Sequence, residues 1–356
     1  MRTMSGDDVM DAVHGCTEAL RAALDQDWKG VKAGRLEWSC HKTVEHVASD
    51  LIAYAGQLAG RPQDRYVPYD IVLDDDADNE GLLEVLETTG TLLATTVRIT
   101  PPEVRAFHPY PFRLADRKGF AAMGIAEVLL HTHDLAEGLG ISYEPPRDLA
   151  DAVLGWLFPH VQPGPAPWPT LLWATGRGDL PGRAPVTSWK WCNNLVLHTD
   201  RLDLVGVRPA VARDLALGGT GGFDWTGGSP HDGTREASAF LVKAYESGLH
   251  RPEFGIFVLV RRDTGQAVGG IGFHGTPDAG RVEIGYDLVP GARGAGHATE
   301  AVRALTGWAL ARDDVRSVVA TVALANTASQ AVVTRAGFRR VGEDGDAGEE
   351  LTFELR

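Results

Sequence analysis

Cysteine is scarce in this chain of 356 residues, with only Cys16, Cys40 and Cys192 present. So sparse and odd a set excludes a disulfide-built scaffold and fits a reducing compartment. Long apolar runs are missing too. None approaches the roughly 20 residues that span a bilayer, so no membrane partner is expected. The N-terminal stretch MRTMSGDDVMDAVHGC has acids where a secretory signal has a basic patch and an apolar core. A cytoplasmic location is therefore expected. Basic residues are in deficit, 34 Lys+Arg against 48 Asp+Glu, for a net charge of −14. Such a field repels nucleic acid and attracts a small cation. The deficit is uneven, −11 over residues 1–185 and −3 over 186–356.

The pattern of what is present changes along the chain. Apolar residues recur at helical spacing in 7–27, 42–60, 80–98 and 117–139. Turn-rich segments such as AGRPQDRYVPYD and GLGISYEPPRD separate them. This predicts an up-and-down helical bundle. Residues 161–187 hold six of the 20 prolines and read as a boundary region, with TLLWATG inside it docking on the bundle. After residue 190, DRLDLVGV, FGIFVLVRR, AVGGIGFHG, RVEIGYDLV, VRSVVATVAL and ELTFEL read as strands, and RRDTGQ as a hairpin turn. Helical patterns fall at 234–247, 298–312 and 326–336. The expectation is an α+β chain of two domains: a bundle at 1–180, a linker at 181–196, and a mixed α/β domain with a central twisted sheet at 197–356.

One turn in the second half invites chemistry. In VEIGYDLVPGARGAGHATEAV a strand runs into Arg293, Gly294, Ala295, Gly296, His297 and Ala298, and then into a helix. It fits neither the G-x-G-x-x-G nor the G-x-x-x-x-G-K-[ST] pattern. A helix start behind two glycines still offers unpaired amides to an anion, and Arg293 adds a charge. A pyrophosphate suits it. The spacing Arg-x-x-Gly-x-Ala closely resembles the acyl-CoA loop of the GNAT N-acetyltransferases. Downstream, NTASQAVVTRAGFRRVG (326–342) resembles that family's later motif, N-x-x-S followed by a helix ending in G-F. The resemblance covers 197–356.

It implies an acetyl-CoA-dependent transferase. The loop residues 293–298 would hold the pyrophosphate, and Asn326 and Ser329 would also bind the cofactor. Amides near Leu288 and Val289 would pair with the thioester end and face the oxygen that turns negative as an amine attacks. An amine with a pKa near ~10 arrives protonated, and Glu283 is the candidate base. Strand alternation puts Glu283, Gly285 and Asp287 on one face and Ile284, Tyr286 and Leu288 on the other. Many members of the family have a Tyr four residues before the Gly of G-F to protonate the leaving thiolate. Here that position is Val333, which leaves Tyr286 as the alternative acid.

The first half resembles the DinB-like bundle of mycothiol-dependent maleylpyruvate isomerases, on the strength of TVEHVASDL (43–51), EVLLHTHDLAEGLG (127–140) and LLWATGR (171–177). In those relatives a divalent metal is held by a His of the second helix and a Glu and a His of a later one. Glu127 and His131 match the later pair, one helical turn apart. At the second-helix position stands Asp50, with His46 one turn earlier. The altered set favours a bundle without zinc over one that holds it.

The acceptor is expected in the variable loop 214–236, where Asp224, Trp225 and Asp232 suit a small cationic amine. An aminoglycoside-type antibiotic is the first choice, in a resistance or self-protection role. Alternatives are a protein N-terminus of the ribosomal-protein type, or a second, thiol-dependent metal activity in the bundle. A homodimer is the oligomer considered.

Overall fold

The computed structural model describes residues 4–74, 76–193, 195–341 and 349–356. The chain divides into two compact units, Met1–Asn194 and Leu195–Arg356.

The first unit is helical. Its long helices are α1 (Gly6–Leu20), α2 (Cys40–Gly60) and α3 (Asn79–Ile99), followed by a short ladder of β1 (Ala106–Phe107) and β2 (Leu114–Ala115), and then α4 (Arg117–Leu139). Each long helix starts where a side chain takes up an orphan amide. Ser5 and Asp8 form a reciprocal capping box, and Ser39, Asp78 and Asp116 accept from the third residue onward. The helix expected over 7–27 stops at Leu20, and Arg21–Ala23 tightens into a 3-10 turn. Helix α4 is buried on every face from Gly119 to Thr132, which makes it the centre on which α1, α2 and α3 pack. Two shorter helices follow, α5 (Arg147–Leu157) and α6 (Pro167–Ala174). The latter contains the start of TLLWATG and buries Leu171 and Ala174. Within the stretch expected as a linker, Trp189 and Trp191 pack against Phe158, and Cys192 N–H donates to Leu157 O. Residues 189–192 therefore belong to the helical unit.

The second unit runs β3 (Val196–His198), β4 (Leu202–Gly206), α7 (Pro209–Ala216), α8 (Asp232–Glu246), β5 (Ile256–Arg261), β6 (Ala267–Phe273), β7 (Arg281–Leu288), α9 (His297–Leu310), β8 (Ser317–Ala323), α10 (Thr327–Ala336), β9 (Arg339–Val341) and β10 (Glu350–Leu355). Gly342, the last residue of the downstream motif, lies outside the described residues. The strands form one mixed sheet in the order β3-β4-β5-β6-β7-β8-β10-β9. Every pair is antiparallel except β7 with β8. The RRDTGQ turn closes as a hairpin, with Arg261 N–H on Gln266 O. Strand β6 is buried throughout, as a central strand with both faces covered should be. Helix α8 contacts β5, β6 and β7, and α9 and α10 contact the β7–β8 side. Among the described residues no helix is long and apolar enough to cross a membrane.

Candidate active site

Strand β7 carries the site. Val289 N–H donates to Val268 O at 3.0 Å, and His274 N–H to Glu283 O at 2.9 Å, which fixes the phase of the β6–β7 ladder. Residues 283, 285, 287 and 289 therefore turn their main-chain groups to β6, and 284, 286 and 288 turn theirs to the other edge. On that edge the register with β8 covers Arg281, Val282 and Glu283. Beyond Glu283 the pairing ends and the two parallel strands diverge. Leu288 N–H faces the gap, as expected of an amide that meets an extended ligand. Val289 does not, because its amide is committed to Val268; that expectation is corrected by the ladder phase.

The glycine turn follows directly. Gly294 and Gly296 have φ of 79° and 82°, a region that favours glycine, and residues 293–296 are exposed. Gly296 is the N-cap of α9, and no side chain caps that helix. Its first amides and positive dipole end thus open onto the loop. His297 and Ala298 are buried and hold α9 down; burial, with the charge of Arg201, lowers the His297 pKa. Arg293 Nε donates to Leu288 O at 3.1 Å, and its Nη2 lies 3.2 Å from His231 Nε2. A second guanidinium was not anticipated. Arg201, in the β3–β4 turn, donates Nη1 to Ala295 O at 2.8 Å and Nε to Glu300 at 2.6 Å. Glu300, the acid of the first turn of α9, is also bound by Thr199 Oγ1 and Arg201 N–H, so its charge is neutralised. Exposed amides, two positive-φ glycines and two guanidiniums fit a pyrophosphate.

At α10, Asn326 Oδ1 accepts Ser329 N–H at 3.1 Å and caps the helix, and Tyr286 OH donates to Ser329 O at 3.1 Å. Burial raises the Tyr286 pKa, and the bond to Ser329 opposes the rise. Val333 is buried and offers no acid.

On the opposite face of β7, Glu283 Oε1 lies 3.6 Å from His274 Nδ1. These side chains are 39% and 57% exposed, open enough to exchange protons with solvent or a ligand. Asp287 has a different task. It accepts from Thr234 N–H (2.7 Å), Thr234 Oγ1 (2.6 Å) and Gly270 N–H (2.9 Å), and meets His231 Nδ1 at 3.2 Å. It ties the start of α8 to the sheet. Between α8 and strands β5, β6 and β7 lies a cavity of about 670 Å³, with His274 and Asp287 in its wall.

The acceptor residues expected in 214–236 do not converge on it. Trp225 is buried, with Nε1 donating to Thr220 O at 2.8 Å, so it anchors its own loop. Asp224 accepts from Gln266 at 3.3 Å. Asp232 opens α8 and sits 3.7 Å from Arg235, lining a separate recess of about 220 Å³ with Thr226 and Val289. Lining the larger cavity instead is Glu236, one helical turn on.

Residues 201–339 match the family model of the acetyltransferase (GNAT) domain. The uncharacterized N-acetyltransferase YjdG of Bacillus subtilis (strain 168) is 30% identical over 118 residues, which are 33% of this chain and 70% of that protein. The chain belongs to the GNAT acetyltransferases. It is an acyltransferase enzyme, with its GNAT domain in the second unit. Among solved structures, an acetyltransferase from Agrobacterium tumefaciens str. C58 shares 25% identity at a TM-score of 0.34, covering 49% of this chain and 99% of that one. The ribosomal L7/L12 alpha-N-protein acetyltransferase RimL, solved with coenzyme A, shares 20% at 0.33, covering 45% and 97%.

In the helical unit of this GNAT protein, donor atoms of His46, Glu127 and His131 lie within 4.8 Å of one another. Asp50, expected as the second-helix ligand, meets His46 Nε2 at 3.4 Å and stands outside this group of three. His131 Nε2 is 3.3 Å from Glu127, and its Nδ1 is 2.9 Å from Asp134, which Arg177 grips at 3.0 Å. Burial disfavours the His131 cation, but Asp134 and Glu127 outweigh it and hold the pKa up at about 9. Burial, reinforced by the nearby Glu127, raises the Asp50 carboxyl to about 8. Two imidazoles and a carboxylate are a donor set that zinc accepts, and a carboxylate behind a ligating His is a common support. Asp134 and Arg177 carry no signal in sequence beyond their places in the quoted motifs.

Proposed function

We propose that the second unit transfers the acetyl group of acetyl-CoA to a primary amine of a small cationic molecule. The observation that carries this reading is the divergence of β7 from β8 beyond Glu283, directly before the exposed glycine turn. Arg293, Arg201 and the first amides of α9 would hold the pyrophosphate, and the Leu288 amide the extended arm. When bound, the donor supplies a thioester, an acyl group activated toward amines. Glu283, with His274 beside it, takes the ammonium proton, which frees the lone pair. A C–N bond would form as the C–S bond breaks, and the second proton of the attacking nitrogen would pass through water or the Tyr286 phenol to the leaving thiolate. A thiol pKa near ~8.5 makes it a tolerable leaving group without a fixed acid. The helical unit reads as DinB-like, supported by its four long helices and the His46, Glu127, His131 cluster; no step of this reaction draws on it.

Thiol release from acetyl-CoA with a panel of amines tests this reading. Glu283→Gln should lower kcat/KM about 10²-fold at pH 7 and much less at pH 10, where about half of the amine is already neutral. A parallel drop at both values would remove Glu283 as base, and no release with any amine would remove the reading itself.

A further inference from the structure

The cavity between α8 and the sheet owes part of its space to missing side chains, with Gly270, Gly272 and Gly285 in its lining. Strand β7 reaches it through Gly285, Tyr286 and Asp287. Glu283 is not in that lining, whereas His274 is. Gly285 shares its strand face with Asp287, whose carboxylate meets Thr234 of α8. A Cβ at Gly285 would come within 2.5 Å of His274 Nε2, so this nitrogen lies over bare backbone on the cavity side of the strand. The other nitrogen, Nδ1, is 3.6 Å from Glu283 Oε1. One end of the imidazole thus meets the cavity and the other meets the carboxylate. The remaining titratable groups of the wall are mostly engaged. Asp287 accepts from Thr234 and Gly270, Arg251 is paired with Glu253 and Asp314, and Tyr286 donates to Ser329 O. His250 is buried against the Tyr245 ring. Glu236, on α8, is exposed and is the rival to His274 in this wall.

We propose that His274 is the catalytic residue that takes the ammonium proton of the acceptor, on Nε2, and that Glu283 is a positioning residue behind it that does not touch the amine. The proposal rests on the acetyl-transfer reading and divides the work within its proton-accepting pair. The ammonium proton passes to Nε2, and the imidazolium that forms faces the Glu283 carboxylate through Nδ1–H. A fixed anion behind the ring stabilises that imidazolium while it lasts. The freed lone pair forms the C–N bond as the C–S bond breaks, and the second nitrogen proton leaves for the thiolate. The imidazolium then returns its proton to solvent, to which the 57% exposed side chain is open.

Thiol release from acetyl-CoA is followed between about pH 6 and about pH 10 with putrescine, tyramine and kanamycin. For the amine turned over fastest, kcat/KM of the wild type should show an acid limb below a plateau. His274→Ala, an exposed change that leaves the core alone, should lose about 10²-fold at pH 7. Its profile should have no limb or plateau, only a climb toward the amine pKa near ~10. Added imidazole should restore part of the loss, with the acetyl-CoA affinity as in the wild type. Glu283→Gln should lower the plateau and keep the limb, and Glu236→Gln should keep both. A limb that survives His274→Ala, or that vanishes in Glu283→Gln or Glu236→Gln, overturns the proposal while acetyl transfer stands. A loss that imidazole does not rescue, with acetyl-CoA affinity gone as well, would mark a structural role and overturn it too. No thiol release with any amine overturns the acetyl-transfer reading and the proposal with it.

Discussion

Gly296 has a backbone that only glycine adopts without strain, and it sits at the mouth of α9 with Arg201 Nη2 3.4 Å from where a Cβ would be. Gly296→Val would distort the cap and crowd the anion site. Acetyl-CoA affinity should fall at least about tenfold, a loss of roughly 1.4 kcal/mol. The circular dichroism of the helical unit should stay unchanged. Calorimetric titration checks it, and wild-type affinity would detach the loop from donor binding. Gly285 is glycine for a different reason. A Cβ there would meet His274 Nε2 at 2.5 Å, so its absence keeps His274 seated beside Glu283. The glycines and Arg293 were legible because their meaning is local. Arg201 was not, since Glu300 lies 99 positions away in sequence and nothing near Arg201 announces the partnership.

At the scale of elements, the junction of α8 with β7 sets the shape of the cavity. Asp287 accepts two amides and a hydroxyl from Thr234 and Gly270, and His231 bridges from Asp287 to Arg293. The cavity wall and the glycine turn thus share one chain of contacts. Asp287→Ala leaves these donors without partners, at about 1–3 kcal/mol for each buried group. The expected loss is about 3 kcal/mol of the stability of the second unit, with faster amide exchange in the first turn of α8. A loss below about 1 kcal/mol in denaturant unfolding would show that Asp287 is not the tie. The sequence foretold the strand, turn and helix of residues 281–310 because each carries its own periodicity and punctuation. The short elements α7, β3 and β9 passed unnoticed. Segments of three to eight residues hold too few repeats of any period to stand out.

On the whole-molecule scale the two clusters of functional interest belong to different units. His46, Glu127 and His131 lie in the helical unit, and every residue assigned to acetyl transfer lies in the GNAT unit. Treating the protein with EDTA and desalting it should therefore leave kcat/KM for acetyl transfer within about twofold. A tenfold drop restored by zinc would tie the helical unit to the reaction.

By itself the sequence determined the two-part plan, the capped helices of the first half and the anion-binding turn of the second. Each of these depends on neighbours within a few positions, through caps, periodicity and backbone freedom. The tertiary structure decided the rest: that Val289 spends its amide on β6, that Trp225 is an anchor, and that Asp287 latches α8 to the sheet. It also decided that His46 joins Glu127 and His131, and that Phe240, Leu249 and Glu236 line the cavity between α8 and the sheet. These depend on ladder phase and on contacts between segments tens of positions apart, and a linear pattern does not encode which of several carboxylates or rings a fold will bring together.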